Sequence, residues 1–299
     1  MSVEPELVWT IGKVLAAAKD FLERHGSGSP RLEAERLMAF ILKLDRVDLY
    51  MQIDRPLTEA ERHAYKQVIK DRAEGNPVQY ITGEQGFRRL VLKVTPDVLI
   101  PRPETELLVD VAVNNLQFKP GTEITEPKPE ILEIGTGSGA IAISLAFEHP
   151  VVLVWALDIS SRALEVARDN ASKYNVDESI IFFESDLFEQ LEDHHRKPFD
   201  AIVANPPYIT SDEMASLPAE VLREPHLALD GGQGGLDYIK RISAGARQYI
   251  KTGGFLALEI GAEQADGVSD ILLRDSYSDI RVFKDYAKRD RVVVGWRKH

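Results

Sequence analysis

The tetrapeptide Asn205-Pro206-Pro207-Tyr208 carries residue types that could activate a planar nitrogen. The lone pair of an amide or conjugated amine is delocalised, so this nitrogen is a poor nucleophile. The Asn205 side-chain oxygen and the Pro206 carbonyl could accept both hydrogens of an NH2 group and stabilise the charge that develops during attack. Two prolines stiffen the loop, and Tyr208 offers a ring face for a planar group. The tetrapeptide predicts group transfer to such a nitrogen; a proline-rich turn with a surface tyrosine is the alternative.

A glycine-rich segment, Gly135-Thr136-Gly137-Ser138-Gly139, stands where a predicted strand meets a predicted helix. Its glycines allow a sharp turn and a close approach to a ligand, and the helix N-terminus offers free N–H groups. Asp158 follows Gly139 by 158 − 139 = 19 residues, a position from which a carboxylate can accept hydrogen bonds from both ribose hydroxyls. The pattern predicts a nucleoside-containing cofactor and, since it also fits nicotinamide sites, leaves hydride and methyl transfer open.

Two further acidic residues favour methyl transfer. Glu133 lies inside the predicted strand before the glycines, as in the methyltransferase motif E/D-x-G-x-G-x-G. Asp186, in Ser185-Asp186-Leu187-Phe188, follows the third predicted strand and is placed to meet an adenine amino group. A helix N-cap is an equally good interpretation of Asp186 from its position alone.

These residues need a sheet that brings strand ends together, and the sequence predicts one. From residue 130 onward, apolar segments of strand length alternate with helical ones, which indicates an α/β fold with a parallel sheet covered on both faces. The last two segments, 280–283 and 292–296, are too close for a helical crossover. We therefore expect them to form an antiparallel pair at the sheet edge.

The region before the sheet divides into two parts. Residues 1–76 have helical periodicity and a capping box at Thr58 and Glu61, so we expect a helical bundle with a structural or substrate-docking role. Residues 77–103 are expected to be a connector with a β-hairpin that turns at Thr95-Pro96-Asp97. Residues 104–299 would then form the α/β domain.

Composition excludes several kinds of site. The 299 residues include no cysteine, so disulfides, thiolate metal sites and a cysteine nucleophile are excluded. The seven histidines form no metal-ligand pattern, and we predict no metal. No apolar run approaches the ~20 residues that span a membrane. The first residues lack a basic, signal-like segment, so we expect a cytoplasmic protein.

The net charge of −12 bears on partners. Nucleic-acid binders usually carry a basic face because phosphate contacts dominate their affinity. The charge argues against nucleic acid as the direct substrate and permits a basic or ribonucleoprotein-associated protein partner. We expect a monomer with no membrane association.

The chain resembles the protein-(glutamine-N5) methyltransferases that modify class I peptide-chain release factors, over nearly its whole length. The most specific match is Leu99-Ile100-Pro101-Arg102-Pro103-Glu104-Thr105-Glu106, which contains the family signature I-P-R-P-E-T-E. Further segments resemble the family: Pro77-Val78-Gln79-Tyr80-Ile81-Thr82-Gly83, Glu224-Pro225 with Ala228-Leu229, Gly234-Gly235-Leu236-Asp237, Gly253-Gly254-Phe255, Glu259-Ile260-Gly261 and Asp285-Tyr286.

The resemblance implies a helical N-terminal domain, a hairpin connector and a seven-stranded, Rossmann-like class I methyltransferase domain. It implies methyl transfer from S-adenosylmethionine, with S-adenosylhomocysteine as product, to the glutamine of the release-factor G-G-Q motif, which modulates translation termination. The implied cofactor site comprises Gly135, Thr136, Gly137, Ser138, Gly139, Asp158, Asp186, Leu187 and Asn205. The target glutamine would lie on Asn205, Pro206, Pro207 and Tyr208, and Phe87 with Arg102, Pro103 and Glu104 would help to close the pocket. A domain-linking salt bridge is the alternative for Arg102 and Glu104.

Two features depart from the family pattern or imitate its substrate. Phe87 is followed by Arg88-Arg89, where members often carry an aromatic or small residue and then glycine. Gly231-Gly232-Gln233 reads G-G-Q, the substrate motif of release factors, and we interpret it as chance or as a loop that crowds the pocket.

Three rival functions remain at this point. An adenine-N6 methyltransferase for DNA or RNA uses the same tetrapeptide on an aromatic amine, but it should carry a basic recognition region. A nicotinamide-dependent oxidoreductase does not explain residues 205–208. A non-catalytic binding module on the same fold would need neither the tetrapeptide nor Asp158.

Overall fold

A computed structural model describes residues 8–116, 128–191, 195 and 197–298. These residues form two compact units. The smaller holds the described residues up to Gly83 together with Ala219–Arg223, and the larger holds Glu84–Pro218 and the described residues from Glu224 onward. The connector predicted over residues 77–103 is divided between the two units. Residues 77–83 belong to the smaller unit, and the hairpin belongs to the larger unit.

The smaller unit consists of helices. They are α1 (Ile11–Arg24), α2 (Pro30–Leu42), α3 (Arg46–Met51), α4 (Glu59–Ala73) and α5 (Val78–Thr82). The capping box is present, because the Thr58 hydroxyl accepts from Glu61 N–H and the Glu61 carboxylate accepts from Thr58 N–H at 2.8 Å. The buried apolar side chains of these helices pack into one core of their own.

The larger unit contains all nine strands of the described chain. Its elements are β1 (Glu84–Phe87), β2 (Leu90–Lys93), α6 (Glu106–Asn115), β3 (Glu130–Ile134), α7 (Ala140–Glu148), β4 (Leu153–Asp158), α8 (Ser161–Lys173), β5 (Ile180–Glu184), β6 (Phe199–Ala204), α9 (Ser211–Met214), α10 (Asp237–Tyr249), β7 (Ile250–Glu259), α11 (Ala265–Arg274), β8 (Tyr277–Lys284) and β9 (Asp290–Arg297). A 3-10 turn, Pro103–Thr105, precedes α6.

Seven strands form one sheet in the order β5-β4-β3-β6-β7-β9-β8. Strands β3 to β7 are parallel to their neighbours within that set, whereas β9 is antiparallel to both β7 and β8. The antiparallel pair lies at the edge, as expected. The predicted α/β fold class with a seven-stranded, Rossmann-like sheet is confirmed.

Alternate residues of each parallel strand feed two separate cores, one on each face of the sheet. Ile131 of β3 belongs to the core on one face, and Leu132 belongs to the core on the other. Because both faces are covered, polar groups that need access must lie at strand ends. No helix in the described part of the chain is long and apolar enough to cross a membrane.

The expected position of the hairpin turn is wrong. The hairpin pairs Phe87 with Leu90, so its turn is Arg88-Arg89, and Thr95-Pro96-Asp97 forms a separate turn after β2. Arg88 takes a positive φ of 50° without being glycine. Its guanidinium makes two 2.8 Å hydrogen bonds to Glu148 and one of 2.7 Å to Asp110, which offset the backbone strain. These partners are distant in sequence, so no local signal marks the turn.

Candidate active site

One cavity of the larger unit lies at the carboxyl ends of the parallel strands, where open α/β sheets bind ligands. It brings together eight of the sixteen predicted site residues. Of the predicted positions, its walls include Gly135, Gly137, Asp158, Asp186, Leu187, Asn205, Pro206 and Pro207. Apolar side chains complete the walls, among them Leu99, Ile159, Leu227 and Tyr238.

The first glycine loop (residues 135–139) opens onto this cavity. Gly135 and Gly137 have φ values of 77° and 55°, which only glycine adopts without strain. A Cβ atom at either position would meet no protein atom within 4 Å. The N–H groups of Gly135 and Thr136 both donate to the Leu157 carbonyl at 2.8 Å, which fixes the loop on β4. The space in which a side chain would stand at Gly135 and Gly137 is therefore free of other protein groups.

Glu133 lies beneath this loop and is buried. Its Oε2 accepts from the Thr136 hydroxyl at 2.8 Å and from Ala142 N–H at 3.1 Å, so it ties the loop to the first turn of α7. Burial raises the pKa of Glu133 to about 7 against the effect of these two hydrogen bonds, and the nearby Asp158 charge raises it further. Within the described residues, Oε1 of Glu133 has no hydrogen-bond partner.

The two acidic residues predicted for the nucleoside occupy different settings. Asp158 Oδ2 accepts from Gly137 N–H at 2.8 Å and Oδ1 from Ser160 N–H at 2.9 Å, while burial raises its pKa. The Asp186 carboxylate also lines the cavity and accepts from Arg241 at 2.9 Å. Backbone N–H groups thus hold the Asp158 carboxylate, and the Arg241 guanidinium holds the Asp186 carboxylate.

The Asn205 amide is held from a distant part of the chain. Its Nδ2 donates to the Thr105 hydroxyl at 3.1 Å, so the side-chain oxygen is the group with which Asn205 can accept a hydrogen bond from a substrate. Pro206 is buried and Pro207 is half-buried, and both line the cavity. The tetrapeptide therefore meets the glycine loop in one cavity.

Tyr208 is half-buried and is not among the lining residues of the cavity. Its hydroxyl lies 3.5 Å from Glu259 Oε1, and its carbonyl accepts from Gln264 Nε2 at 2.9 Å. Burial and the Glu259 charge raise the pKa of Tyr208 to about 12. The phenol is consequently neutral at physiological pH.

The charges of Arg102 and Glu104 act on the Tyr208 hydroxyl. The charge of Arg102 lowers the pKa of Tyr208 and that of Glu104 raises it. Arg102 forms an ion pair with the buried Glu224 carboxylate, which also accepts from Ile100 N–H at 3.0 Å. Both partners lie in the larger unit, so the domain-linking alternative for Arg102 is wrong. Pro103 and Glu104 are exposed.

Phe87 does not lie in the cavity. Its side chain is 1% exposed and belongs to the core of one sheet face, together with Leu90, Leu92 and Leu108. The prediction that Phe87 helps to close the pocket is therefore wrong. From β1, Phe87 packs the hairpin onto the sheet.

The second glycine loop (residues 231–235) contains the G-G-Q sequence and packs against the tetrapeptide. A Cβ atom at Gly231 would lie 2.7 Å from the Pro207 carbonyl oxygen and 2.8 Å from Tyr208 Cα. At Gly235 it would overlap the Tyr208 carbonyl oxygen and lie 2.5 Å from Gln264 Nε2. Gly231 and Gly235 are needed for close packing against the backbone of the tetrapeptide, and of these two only Gly231 belongs to the G-G-Q sequence.

Comparison with known proteins shows the family. Residues 13–83 match the family model described as PrmC N-terminal domain, and residues 122–233 match the family model described as Methyltransferase small domain. The chain is 41% identical to a release factor glutamine methyltransferase from Chlorobaculum tepidum, over 96% of the chain and 97% of that relative. The same identity holds for the protein of that name from Moorella thermoacetica, over 97% and 99%. The chain belongs to the release factor glutamine methyltransferase family.

Solved structures agree on the fold. The catalytic domain of hMettl16 in complex with the MAT2A 3'UTR hairpin 1 aligns over 94% of this chain and 91% of that chain, with a TM-score of 0.57 and 12% identity. At this identity the likeness shows the methyltransferase fold alone. It gives no support to nucleic acid as a substrate.

This family member is an enzyme that uses S-adenosylmethionine, and its cavity fits that cofactor. A Cβ atom at Gly135 or Gly137 would occupy open space. Because both residues lack a Cβ atom, a ligand can lie directly against the backbone of the loop. Carboxylates of Asp158 and Asp186 lie beside apolar walls that include Leu187. Such a combination suits a ribose with two hydroxyls and a planar base.

Four polar residues of the methyltransferase site carry no sequence-based prediction of their role. Thr105 and Glu259 contact Asn205 or Tyr208, and Gln264 holds the Tyr208 carbonyl. Asn170 of α8 is buried and donates 2.9 Å bonds to the Ser138 and Lys93 carbonyls, which joins the glycine loop to the hairpin. An asparagine among the buried residues of α8 is the only local signal that could have found one of them.

Proposed function

We propose that this protein transfers a methyl group from S-adenosylmethionine to the side-chain amide nitrogen N5 of the glutamine in the G-G-Q motif of class I peptide-chain release factors. Methylation there would modulate translation termination. The observation that carries the proposal is the meeting of Asn205, Pro206 and Pro207 with the first glycine loop in one cavity. The names of the relatives point to the same substrate.

The cofactor would be held by the first glycine loop, Asp158, Asp186 and Leu187. Glycine backbone allows close contact with the ligand, Asp158 accepts from ribose hydroxyls, and Asp186 accepts from the adenine amino group. Bound there, S-adenosylmethionine would supply a methyl group made electrophilic by the sulfonium charge; the carbon–sulfur bond would break as the nitrogen–carbon bond forms, S-adenosylhomocysteine would remain, and the nitrogen would lose one of its two protons.

The substrate amide would be oriented by the tetrapeptide. Asn205 Oδ1 and the Pro206 carbonyl accept the two N–H bonds, which favours localisation of the nitrogen lone pair as charge develops. The rigid Pro206-Pro207 backbone fixes the direction of these acceptors. Positioning and electrostatics of this kind contribute most of the acceleration, without a covalent enzyme intermediate. Tyr208 does not line this cavity, and its contacts with Glu259 and Gln264 hold the loop in place.

The test is methyl transfer from labelled S-adenosylmethionine to a purified, unmodified release factor, followed by mass spectrometry of its G-G-Q peptide. One methyl group on the glutamine is expected. Asn205→Ala should lower kcat about 10²- to 10³-fold, the usual effect of losing one such electrostatic contact. Asn114→Ala, the same change at an exposed position of α6, is the matched control and should leave kcat unchanged.

The opposite outcome would redirect the assignment. Transfer to DNA or RNA with none to the release factor would establish the adenine-N6 activity in place of glutamine methylation. Cofactor binding with no transfer to either would favour the non-catalytic module.

The helical unit is the proposed docking module for the protein substrate. Val47 and Met51, one helical turn apart in α3, are 70% and 79% exposed and offer adjacent apolar side chains to a partner. Val47→Asp with Met51→Asp should raise KM for the release factor about 10-fold and leave KM for the cofactor unchanged. Leu273→Asp, at an exposed leucine of α11, is the control. Equal change in both KM values would contradict the docking role.

We further propose that the protein is a cytoplasmic monomer and that it does not take nucleic acid as a direct substrate. The net charge of −12 and the substrate class support both statements. Light scattering of the purified chain would give a mass near 33.5 kDa for a monomer, and twice that mass would refute it.

A further inference from the structure

A fully buried asparagine on α8 has no part in the chemistry described so far. Asn170 has no exposed surface. Its Nδ2 donates to the Ser138 carbonyl and to the Lys93 carbonyl, each at 2.9 Å, and its Oδ1 accepts from Lys93 N–H at 2.7 Å. Both amide hydrogens and the oxygen are therefore engaged. Because a polar side chain is costly to bury, these three contacts are the reason for an asparagine at this position.

The Ser138 carbonyl in the first glycine loop depends on this contact. In a regular helix it would accept from the N–H group four residues later, which is that of Ala142. That N–H group donates instead to Glu133 Oε2 at 3.1 Å. Ser138 is buried, so its carbonyl needs a donor from elsewhere in the protein. Asn170 supplies this donor from α8.

The close approach of α8 to the loop occurs at Gly139. A Cβ atom at Gly139 would lie 3.2 Å from the Cβ atom of Ala167, one helical turn before Asn170. The absence of a side chain at Gly139 thus lets α8 come near enough for Asn170 to reach the loop.

The other two bonds of Asn170 fix the point where the chain leaves the hairpin. Lys93 is the last residue of β2, and after the turn at residues 95–97 the chain reaches the cavity, whose walls include Asp97, Val98 and Leu99. One side chain therefore holds two parts of the cavity rim, the first glycine loop and the wall segment 97–99.

We propose that Asn170 is a positioning residue that keeps the first glycine loop and the wall segment 97–99 in the arrangement that binds S-adenosylmethionine. Asn170 does not itself line the cavity. This inference rests on the proposed location of the cofactor at the first glycine loop, and it does not depend on the release factor as substrate.

Tyr174 provides a comparison one helical turn further along the chain. Its hydroxyl accepts from Val91 N–H at 2.6 Å and donates to the Val91 carbonyl at 3.0 Å, the same pair of bonds that Asn170 makes with Lys93. In the part of the chain that the structure describes, only Asn170 of these two also bonds the first glycine loop. If attachment of the hairpin were all that mattered, the two side chains would be equivalent.

Asn170→Ala and Tyr174→Phe, both in the full-length chain, test this difference by calorimetric titration with S-adenosylmethionine. Asn170→Ala should raise Kd for the cofactor about 10-fold, because the buried Ser138 carbonyl loses its donor and the loop leaves its binding arrangement. Tyr174→Phe should stay within about 2-fold of the parent. An unchanged Kd in Asn170→Ala, or an equal rise in both variants, would overturn the proposal.

Asn170→Asp is a second variant in case Asn170→Ala does not fold. Its carboxylate keeps the shape of the amide and still accepts from Lys93 N–H, but it cannot donate to the Ser138 carbonyl. Kd for the cofactor should rise more than in Asn170→Ala, where a water molecule can enter the vacated space and donate. A Kd within about 2-fold of the parent in a folded Asn170→Asp would contradict the proposal.

Turnover separates positioning of the cofactor from a general loosening of the site. At saturating cofactor, Asn170→Ala should keep kcat within about 2-fold, because its three bonds go to the loop and the hairpin and not to the tetrapeptide. A fall in kcat as large as the rise in Kd would refute the positioning role.

Gly137→Ala distinguishes failure of this inference from failure of the proposed function. If Gly137→Ala leaves Kd for the cofactor unchanged, the proposed cofactor location fails, and the role of Asn170 fails with it. If Gly137→Ala raises Kd and Asn170→Ala does not, the role of Asn170 fails alone. Calorimetry uses no release factor, so a raised Kd in Asn170→Ala without methylation of the release factor would support Asn170 and refute the proposed substrate.

Discussion

The first glycine loop (residues 135–139) and the second (residues 231–235) are both rich in glycine, but their glycines face opposite surroundings. In the first loop, a Cβ atom at Gly135 or Gly137 would enter open space at the cavity. In the second loop, a Cβ atom at Gly231 or Gly235 would collide with the backbone of Pro207 and Tyr208. In the first loop, the missing side chains leave room for a ligand. In the second loop, they leave room for neighbouring protein backbone. The same composition therefore serves binding in one place and assembly of the acceptor groups in the other.

Glu133 is a buried carboxylate beneath the first loop, and Glu259 is a buried carboxylate beside Tyr208, on which the second loop packs; burial raises the pKa of each to about 7. Glu133 contacts its own loop and the helix that follows, at Thr136 and Ala142. Glu259 contacts Tyr208, 51 residues away in the sequence. The contacts of Glu133 therefore lie within one continuous segment, whereas the contact of Glu259 joins two distant segments.

The largest effect is expected at the second loop. Gly235→Ala would place Cβ against the Tyr208 carbonyl oxygen and 2.5 Å from Gln264 Nε2, at a φ of 68°. The tetrapeptide must shift, and displacement of acceptors by about 1 Å costs on the order of 10²-fold in kcat. Unfolding free energy should fall by about 2–4 kcal/mol from overpacking and strain. Steady-state kinetics and chemical denaturation measure the two quantities.

Gly234→Ala is the matched control for that prediction. Gly234 has a φ of 75°, and a Cβ atom there would meet nothing within 4 Å. The strain alone should cost about 1 kcal/mol and leave kcat within about 2-fold. An equal loss of kcat in both alanine variants would show that backbone strain, and not the contact with Tyr208, is responsible.

A smaller and different effect is expected at the first loop. Gly137→Ala adds a methyl group that meets no protein atom, so the fold should lose only about 1 kcal/mol from its φ of 55°. The methyl group occupies ligand space, and we expect affinity for S-adenosylmethionine to fall about 10- to 100-fold. At saturating cofactor kcat should be largely retained. Calorimetric titration of the cofactor gives the affinity.

Gly26→Ala provides the same strain away from the site, since Gly26 has a φ of 81° and open surroundings. It should lose similar stability and no cofactor affinity. If Gly137→Ala instead lowered kcat as much as Gly235→Ala and left cofactor affinity intact, the contrast between the two loops would be broken.

The same contrast explains what could be predicted from the sequence. The first loop, Glu133 and Asp158 are recognisable because a strand, a glycine turn and a helix follow each other directly, and the parallel sheet is recognisable because apolar strand segments alternate with helices. Contacts of Thr105, Glu259 and Gln264 with the tetrapeptide span 51 to 100 residues of chain. No local pattern encodes such a contact, so the sequence marks Thr105 and Glu259 only as motif letters without a role and does not mark Gln264.

Two errors have the same origin. The hairpin turn was placed at Thr95-Pro96-Asp97 because proline and aspartate mark turns, whereas the real turn depends on the pairing of Arg88 with Glu148, 60 residues away. Phe87 was assigned to the pocket from resemblance, but the packing of the hairpin puts its ring in the core. Both corrections come from tertiary contacts that override the local signal.

The smallest effect concerns stability and pH at the carboxylate of the first loop. Glu133 has a folded-state pKa of about 7, above its usual value of 4.5. The folded state thus binds the proton more tightly, so its contribution to stability is complete below pH about 4.5 and is lost as pH rises through about 7. Glu133→Gln removes this dependence and still offers an oxygen to Ala142 N–H. Relative to the parent, its unfolding free energy should rise by on the order of 2 kcal/mol between pH 4.5 and pH 8.

Denaturant unfolding of both proteins across that pH range measures the difference, with Glu165→Gln on the exposed side of α8 as the control. Glu259→Gln should show the same sign of pH dependence in stability, because burial raises the pKa of Glu259 as well. A pH-independent difference for Glu133→Gln would show that the carboxylate under the first loop is ionised throughout, and the likeness between the two buried acids would then be lost.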